Sequence, residues 1–281
     1  MTLGTEPARR RRLPMFAETE SPGLLGLAPR AESRGGVHLP DSGELSPPAL
    51  ELLSAVREAV VRGTGPGATR VFSLQQLGET DRHEIWEMLG KGEVSIVVQG
   101  AARYEIDETA LAGVFRVRTR SAVGESLHLE VGAVPAVVVA AAEHGTSPDL
   151  PLESPPPPGL MNAQPLLAEL RHRMSSQAFD APNHVMSLTH LPLSAEDSRY
   201  LARVLGAGPV TAVSYGYGTC RVAATARRRV WSVQYFSAMD SLILDTLEIG
   251  AVPGALLAAP MDLEDSGARL SELLRDAGPA A

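Results

Sequence analysis

Thiols are nearly absent: Cys220 is the single cysteine in 281 residues. That excludes an intramolecular disulfide, and it excludes a multi-thiolate zinc or iron–sulfur site built by one chain. Aromatic residues make up only 4% of the sequence, so each Trp and Tyr carries more information than usual. No run reaches the roughly 18–20 consecutive apolar residues that a membrane-spanning helix needs, so no membrane insertion is expected. Basic residues are outnumbered, 25 Lys and Arg against 33 Asp and Glu, for a net charge of −8. This argues against a general nucleic-acid binder, whose affinity comes from cations neutralising phosphates. The seven histidines show no metal-ligand spacing such as His-Glu-x-x-His. Arg9 to Arg12 begin like a twin-arginine signal, but no apolar segment follows them, so the chain is expected to stay in the cytoplasm.

What is present is a sequence 44% hydrophobic and 21% charged, long enough for two globular units. Residues 1–45 mix Arg, Glu, Gly, Pro and Ser without a period and read as a disordered tail. Leu52, Leu53, Val56 and Val60 then fall on one face of a helix expected over Ala49 to Val61.

The two halves repeat each other. Leu89-Gly90-Lys91-Gly92-Glu93-Val94 matches Leu205-Gly206-Ala207-Gly208-Pro209-Val210 at an offset of 116 (205 minus 89), and Asp81, Val114, Phe115 and Val117 fall on Asp197, Val230, Trp231 and Val233. Leu129 to Pro135 matches Leu247 to Pro253 at 118 (247 minus 129), and Leu52-Leu53 matches Leu166-Leu167 at 114 (166 minus 52). Glycine and proline punctuation is hard to match by chance, so internal duplication is the organising feature. The expected fold class is α+β: two tandem repeats, each with helices packed on a small, mainly antiparallel sheet. The repeats span 46–142 and 160–281, joined by a proline-rich linker at 143–159 that favours extended geometry.

In the second copy a helix is expected over Ala195 to Leu205. Strands follow at about Val210–Tyr215, Cys220–Ala226, Val230–Phe236 and Leu242–Ile249, with short connections that imply antiparallel neighbours. Short helices should begin at Pro135 and Pro253. A last helix, Asp262 to Asp276, has Asp262 as a candidate N-cap and no counterpart in the first copy.

Differences between copies are where function is expected. The largest is the loop Tyr215-Gly216-Tyr217-Gly218-Thr219-Cys220-Arg221, opposite Gln99-Gly100-Ala101-Ala102-Arg103-Tyr104-Glu105 in the first copy. Two glycines around a tyrosine allow positive φ or close backbone approach, and they equally suit a plain β-hairpin turn. The loop connects strand to strand and so is not a phosphate-binding loop. Cys220 beside Arg221 reads either as a thiol nucleophile or as a small half-buried strand residue. Arg227 to Arg229 read as a solvated turn, or as a contact for an acidic partner beside Trp231, Tyr235 and Phe236. Asp245 and Glu248 lie three apart on a strand, hence on opposite faces. Glu130 and Glu248 match across the repeat and suggest a structural hydrogen-bonding role.

The runs Gly216-Tyr217-Gly218-Thr219-Cys220-Arg221-Val222, Val230 to Phe236, Leu242 to Glu248 and Val252-Pro253 resemble the HupH/HyaF family of hydrogenase expression/formation proteins. The helix with Asp262, Asp265, Ser266, Arg269 and Leu270 fits the same pattern. The resemblance covers most of 46–281 and is strongest from about 186 to 275. It implies a cytoplasmic, non-enzymatic accessory protein without a cofactor of its own, assisting maturation of an uptake NiFe-hydrogenase. Its expected role is that of a chaperone on the small-subunit precursor before twin-arginine export, with other maturation proteins as further partners. The residues that the resemblance assigns to partner binding are Tyr215, Gly216, Tyr217, Gly218, Thr219, Cys220, Arg221, Trp231, Tyr235, Asp245 and Glu248, with none catalytic and none binding metal. Tyr215 and Thr219 depart from residues common in the family. The competing expectation is a thiol-dependent enzyme or iron–sulfur cluster transfer factor using Cys220.

Overall fold

A computed structural model of the chain describes residues 45–63, 68–178, 180–216 and 218–276. The tail expected at the N-terminus lies, up to residue 44, outside the described residues, as does Tyr217.

The first half runs α1 (Pro47–Arg62), β1 (Arg70–Ser73), α2 (Glu79–Leu89), β2 (Val94–Gln99), β3 (Arg103–Glu108), β4 (Val114–Ser121), β5 (Gly124–Val131) and α3 (Ala136–His144). The second half repeats the order with α4 (Ala163–Ser176), β6 (His184–Ser187), α5 (Ala195–Leu205), β7 (Ala207–Tyr215), β8 (Thr219–Thr225), β9 (Val230–Phe236) and β10 (Leu242–Ile249). A single 3-10 turn, Gly254–Leu256, stands where the first half has α3, and α6 (Pro260–Asp276) follows. The duplication and the α+β class read from the sequence are therefore the architecture itself.

Local chemistry accounts for the boundaries. Ser46 caps α1 by accepting from Ala49 N at 3.3 Å, and Pro47 and Pro48 occupy first-turn positions where no N–H is needed. Ser194 and Asp197 form a reciprocal capping box at the start of α5. The last helix starts at Pro260, two residues before Asp262, so that aspartate lies in the first turn and favours the positive end of the helix dipole from there. The edge strands β1 and β6, four residues each, went unread in the sequence.

All ten strands form one sheet, in the order β1-β5-β4-β3-β2-β7-β8-β9-β10-β6, and every neighbouring pair is antiparallel. The halves join through β2 and β7, where Val94 faces Ser214, Ile96 faces Ala212 and Val98 faces Val210. Ile96 and Ala212 occupy the same position of the repeat, so a pseudo-two-fold axis passes between them. β2 is buried from Val94 through Val98, as a strand at the centre of a covered sheet should be.

Each half lays its helix pair on the same sheet face. α1 and α2 pack on Val114, Leu129 and Val131, and α4 and α5 on their equivalents Val230, Leu247 and Ile249. The opposite face carries a core shared by both halves, with Ile96, Phe115 and Val117 from one and Ala212, Trp231 and Val233 from the other under α3 and the 3-10 turn. The terminal segments of the halves are exchanged. α6 packs along α1 and puts Leu270 into the first-half core, whereas the linker after α3 crosses to the second half. There Ser147 N donates to Ala226 O at 2.9 Å, Glu153 N donates to the Tyr200 hydroxyl, and Leu150 and Leu152 pack on the α4–α5 core.

Candidate functional site

Gly216 and Gly218 lie between β7 and β8, with Gly216 N donating to Gly218 O at 3.0 Å. Of the two reasons a glycine can be needed, close approach applies: a Cβ on Gly218 would press on the carbonyl oxygen of Phe236. Tyr215 N donates to Glu93 O at 2.9 Å, which sets the turn beside the start of β2 in the first half.

Thr219, Cys220 and Arg221 begin β8, opposite Phe236, Tyr235 and Gln234 of β9. Strand alternation separates them. Cys220 and Tyr235 point to the shared-core face, whereas Thr219, Arg221 and Phe236 point to the helix-bearing face. The Arg221 guanidinium stacks 4.4 Å over the Phe236 ring and meets Asp240 Oδ1 at 3.5 Å. Cys220 is 7% exposed, and burial pushes its thiol up to about 11, against the opposing effect of the neighbouring Tyr235 hydroxyl. Tyr235 itself is pushed up to about 12, again by burial first and then by Cys220 and Glu248. Neither group is ionised near neutrality, and the thiolate that nucleophilic or cluster chemistry needs is suppressed.

The repeat turns this geometry into a comparison. In the first half the same strand end is an ion-pair network: Glu105 accepts from Arg103 at 3.0 Å and Arg120 at 2.9 Å, and Arg118 meets Glu125 at 3.2 Å. At the equivalent positions the second half has Arg221 for Glu105, Thr219 for Arg103, Phe236 for Arg120, Gln234 for Arg118 and Ile243 for Glu125. On the other face Thr119 and Ser126 are replaced by Tyr235 and Leu244. The ion-pair network has given way to a cation–π pair and the single ion pair Arg221–Asp240, with Phe236 and Ile243 where the first half has charges. Ile243 is 59% exposed and Met239, in the β9–β10 turn, 86% exposed. Met239, Asp240 and Ile243 were missed in the sequence, and Phe236 was read only as an apolar anchor beside the arginine run. Applying the repeat offset to the charged positions of the first copy would have found Ile243 and moved Phe236 to the hairpin.

Three residues assigned to the site lie elsewhere. Trp231 is at the far end of β9, 1% exposed in the shared core, where it has no surface to offer a partner. Glu248 faces Trp231 across the strands, and its Oε2 accepts from Asn183 Nδ2 at 3.1 Å. Its repeat partner Glu130 accepts Ala136 N at 2.8 Å and so caps α3, the structural role expected of the pair. Asp245 lies mid-strand on the helix-bearing side, its N–H bonded to Thr189 Oγ1 at 2.7 Å. The Arg227–Arg229 run is tied down and not a solvated turn. Arg227 donates to Leu205 O and Asp149 O, and Arg229 Nε reaches Glu143 of α3 at 2.7 Å.

A family profile described as the HupH hydrogenase expression protein, C-terminal conserved region, matches residues 48–148 and again 160–277. The hydrogenase expression/formation protein HupQ of Azotobacter chroococcum mcd 1 is 42% identical over 239 residues, 83% of this chain and 84% of that protein. HupH of Rhizobium leguminosarum bv. viciae is 36% identical over 278 residues, 97% and 92% of the two chains. The hydrogenase-1 operon protein HyaF of Escherichia coli K12 is 36% identical over 242 residues, 84% of each. Among solved structures, the hydrogenase expression protein HupH from Thiobacillus denitrificans matches 41% of this chain and 93% of its own, at 26% identity and a TM-score of 0.34.

Proposed function

This chain belongs to the HupH family of hydrogenase expression/formation proteins, and we propose that within that accessory role it is a chaperone for the small-subunit precursor of an uptake NiFe-hydrogenase. It holds the precursor in the cytoplasm until twin-arginine export. The gripping surface is the β7–β8 hairpin end: Tyr215, Gly216, Tyr217, Gly218, Thr219 and Arg221, joined by Tyr235 and Ile243, with the buried Phe236 supporting the Arg221 guanidinium from beneath. The observation that supports this choice is the divergence of the repeats, since only the second copy exchanges its ion-pair network for aromatic and aliphatic groups around an arginine. Aromatic and arginine side chains are the residues that dominate interface energies. The reading in which Cys220 acts as a nucleophile or cluster donor draws no support from a buried, protonated thiol.

Co-purification tests it. The precursor should be recovered with the wild-type chain, and recovery should fall about tenfold for a Tyr217→Ala, Arg221→Ala double variant. Equal recovery with both would remove the hairpin from the interface. A Cys220→Ser chain should support normal hydrogenase activity; loss of activity with the fold retained would revive the thiol reading.

A further inference from the structure

On the second-half side the sheet ends at β6, and a groove of about 350 Å³ runs along that edge. All four residues of the strand, His184–Ser187, line it on one side, Pro165, Leu166 and Glu169 of α4 on the other, and Leu191 also lines it. The involvement of successive strand residues, which point to opposite faces, places the groove beside the strand and not above it. The pseudo-symmetric position in the first half is built differently. There α1 packs directly on the edge strand β1, whereas α4 packs on α5 and β10 and meets β6 through the Glu169–His184 pair at the groove. The helix α6 lies along α1, and no described helix lies along α4 in the same way.

An edge strand presents backbone donors and acceptors on its outer side, and proteins usually blunt such edges with charge, proline or a covering element. β6 is His-Val-Met-Ser, with neither proline nor Lys, and Val185 is 54% exposed. A strand edge facing a helix across a cleft is the geometry in which an extended peptide adds to a sheet, its backbone supplying affinity and the cleft selecting a side chain. The charge in the walls narrows the occupant. Among the described residues that line it, Glu169 is the only carboxylate, half-exposed and paired with His184 Nε2 at 2.9 Å, and none is Lys or Arg. A neutral or basic segment fits this wall, and an acidic one is repelled.

We propose that the β6–α4 groove binds an extended peptide segment of a partner protein as an additional strand, with an apolar side chain against Pro165 and Leu191 and a basic side chain at Glu169. This site is separate from the β7–β8 hairpin and does not depend on which protein is the client. A displayed library of random twelve-residue peptides, selected on the full chain, supplies the probe. The expected outcome is enrichment of peptides pairing an apolar with a basic residue. The synthetic peptide should slow hydrogen exchange at His184 to Ser187, lose affinity about tenfold or more when alternate backbone nitrogens are methylated, and bind a Glu169→Arg variant severalfold more weakly. An Arg221→Ala chain should bind it unchanged, which separates failure here from failure of the hairpin reading. Absence of enrichment, protection confined to another segment such as β1, or indifference to N-methylation would overturn the proposal. The N-methylated peptide decides the matter on the wild-type chain even where Glu169→Arg fails to fold.

Discussion

Glu108 and Asp197 are both buried carboxylates, yet their surroundings move their protons in opposite directions. Glu108 is 8% exposed, and burial, reinforced by Glu93 and Asp262, pushes it up to about 7 despite a hydrogen bond from Gly113 N at 3.0 Å. Its folded value lies above the unfolded one of about 4.5, so its contribution is fully present below pH 4.5 and is lost as pH rises through 7. A Glu108→Gln chain should melt like the wild type at pH 5 and be more stable by about 2 kcal/mol at pH 8; parallel melting curves at both pH values would refute this. Asp197 is fully buried too, and burial alone would raise it. Backbone N–H groups of Ser194, Ala163, Met161 and Asn162, at 2.9–3.2 Å, outweigh that and hold it below the usual carboxylate range. Its stabilisation is present above the unfolded value and lost as pH falls through the folded one. Asp197→Ala uncaps α4 and α5 together, and denaturant titration should show a loss of roughly 3 kcal/mol at pH 7 with a flatter response to acid.

At the scale of elements, the two copies solve one backbone problem in two ways. Gly113 and Arg229, equivalent in the repeat, both have positive φ, 75° and 59°. In the first half a Cβ there would run into the Leu263 side chain of α6, which would have to move, and the positive φ would strain any L side chain. In the second half the residue is Arg229, and its side chain reaches across to Glu143 of α3. Gly113→Ala should therefore cost roughly 2 kcal/mol or more, from backbone strain and the displaced helix together. An unchanged denaturation midpoint would show that α6 is not seated there. The three-arginine run that looked like a solvated turn is, for the same reason, a set of anchors: its partners are a linker and a helix more than 70 residues away in sequence, and no local pattern encodes them.

At the scale of the molecule, neither half closes a core without the other. The sheet is continuous through β2 and β7, the face under α3 draws on both copies, and the terminal segments are exchanged. Chains ending at Gly145 and beginning at Thr146 should each lack a cooperative thermal transition when made alone, and should form a stable one-to-one complex when co-expressed. A sharp transition in either isolated half would contradict the shared core. The full chain should unfold in one step by both circular dichroism and Trp fluorescence, because Trp86 packs beside the α1–α2 core and Trp231 lies in the shared one.

The duplication, most helix and strand boundaries of the second copy, and the hairpin turn at Gly216 and Gly218 were determined by the sequence alone. Hydrophobic period, capping residues and glycine punctuation act over a few residues and are written in the chain twice. β1 and β6 escaped because four residues give too short a period to stand out from a loop. Which strands meet, how the copies face each other across Ile96 and Ala212, and the burial of Trp231 at a distance from the hairpin were decided only in three dimensions. Pairing and burial depend on segments far apart in the chain, and alternation along β8 and β9 sorts neighbouring residues onto opposite faces whatever their order in sequence.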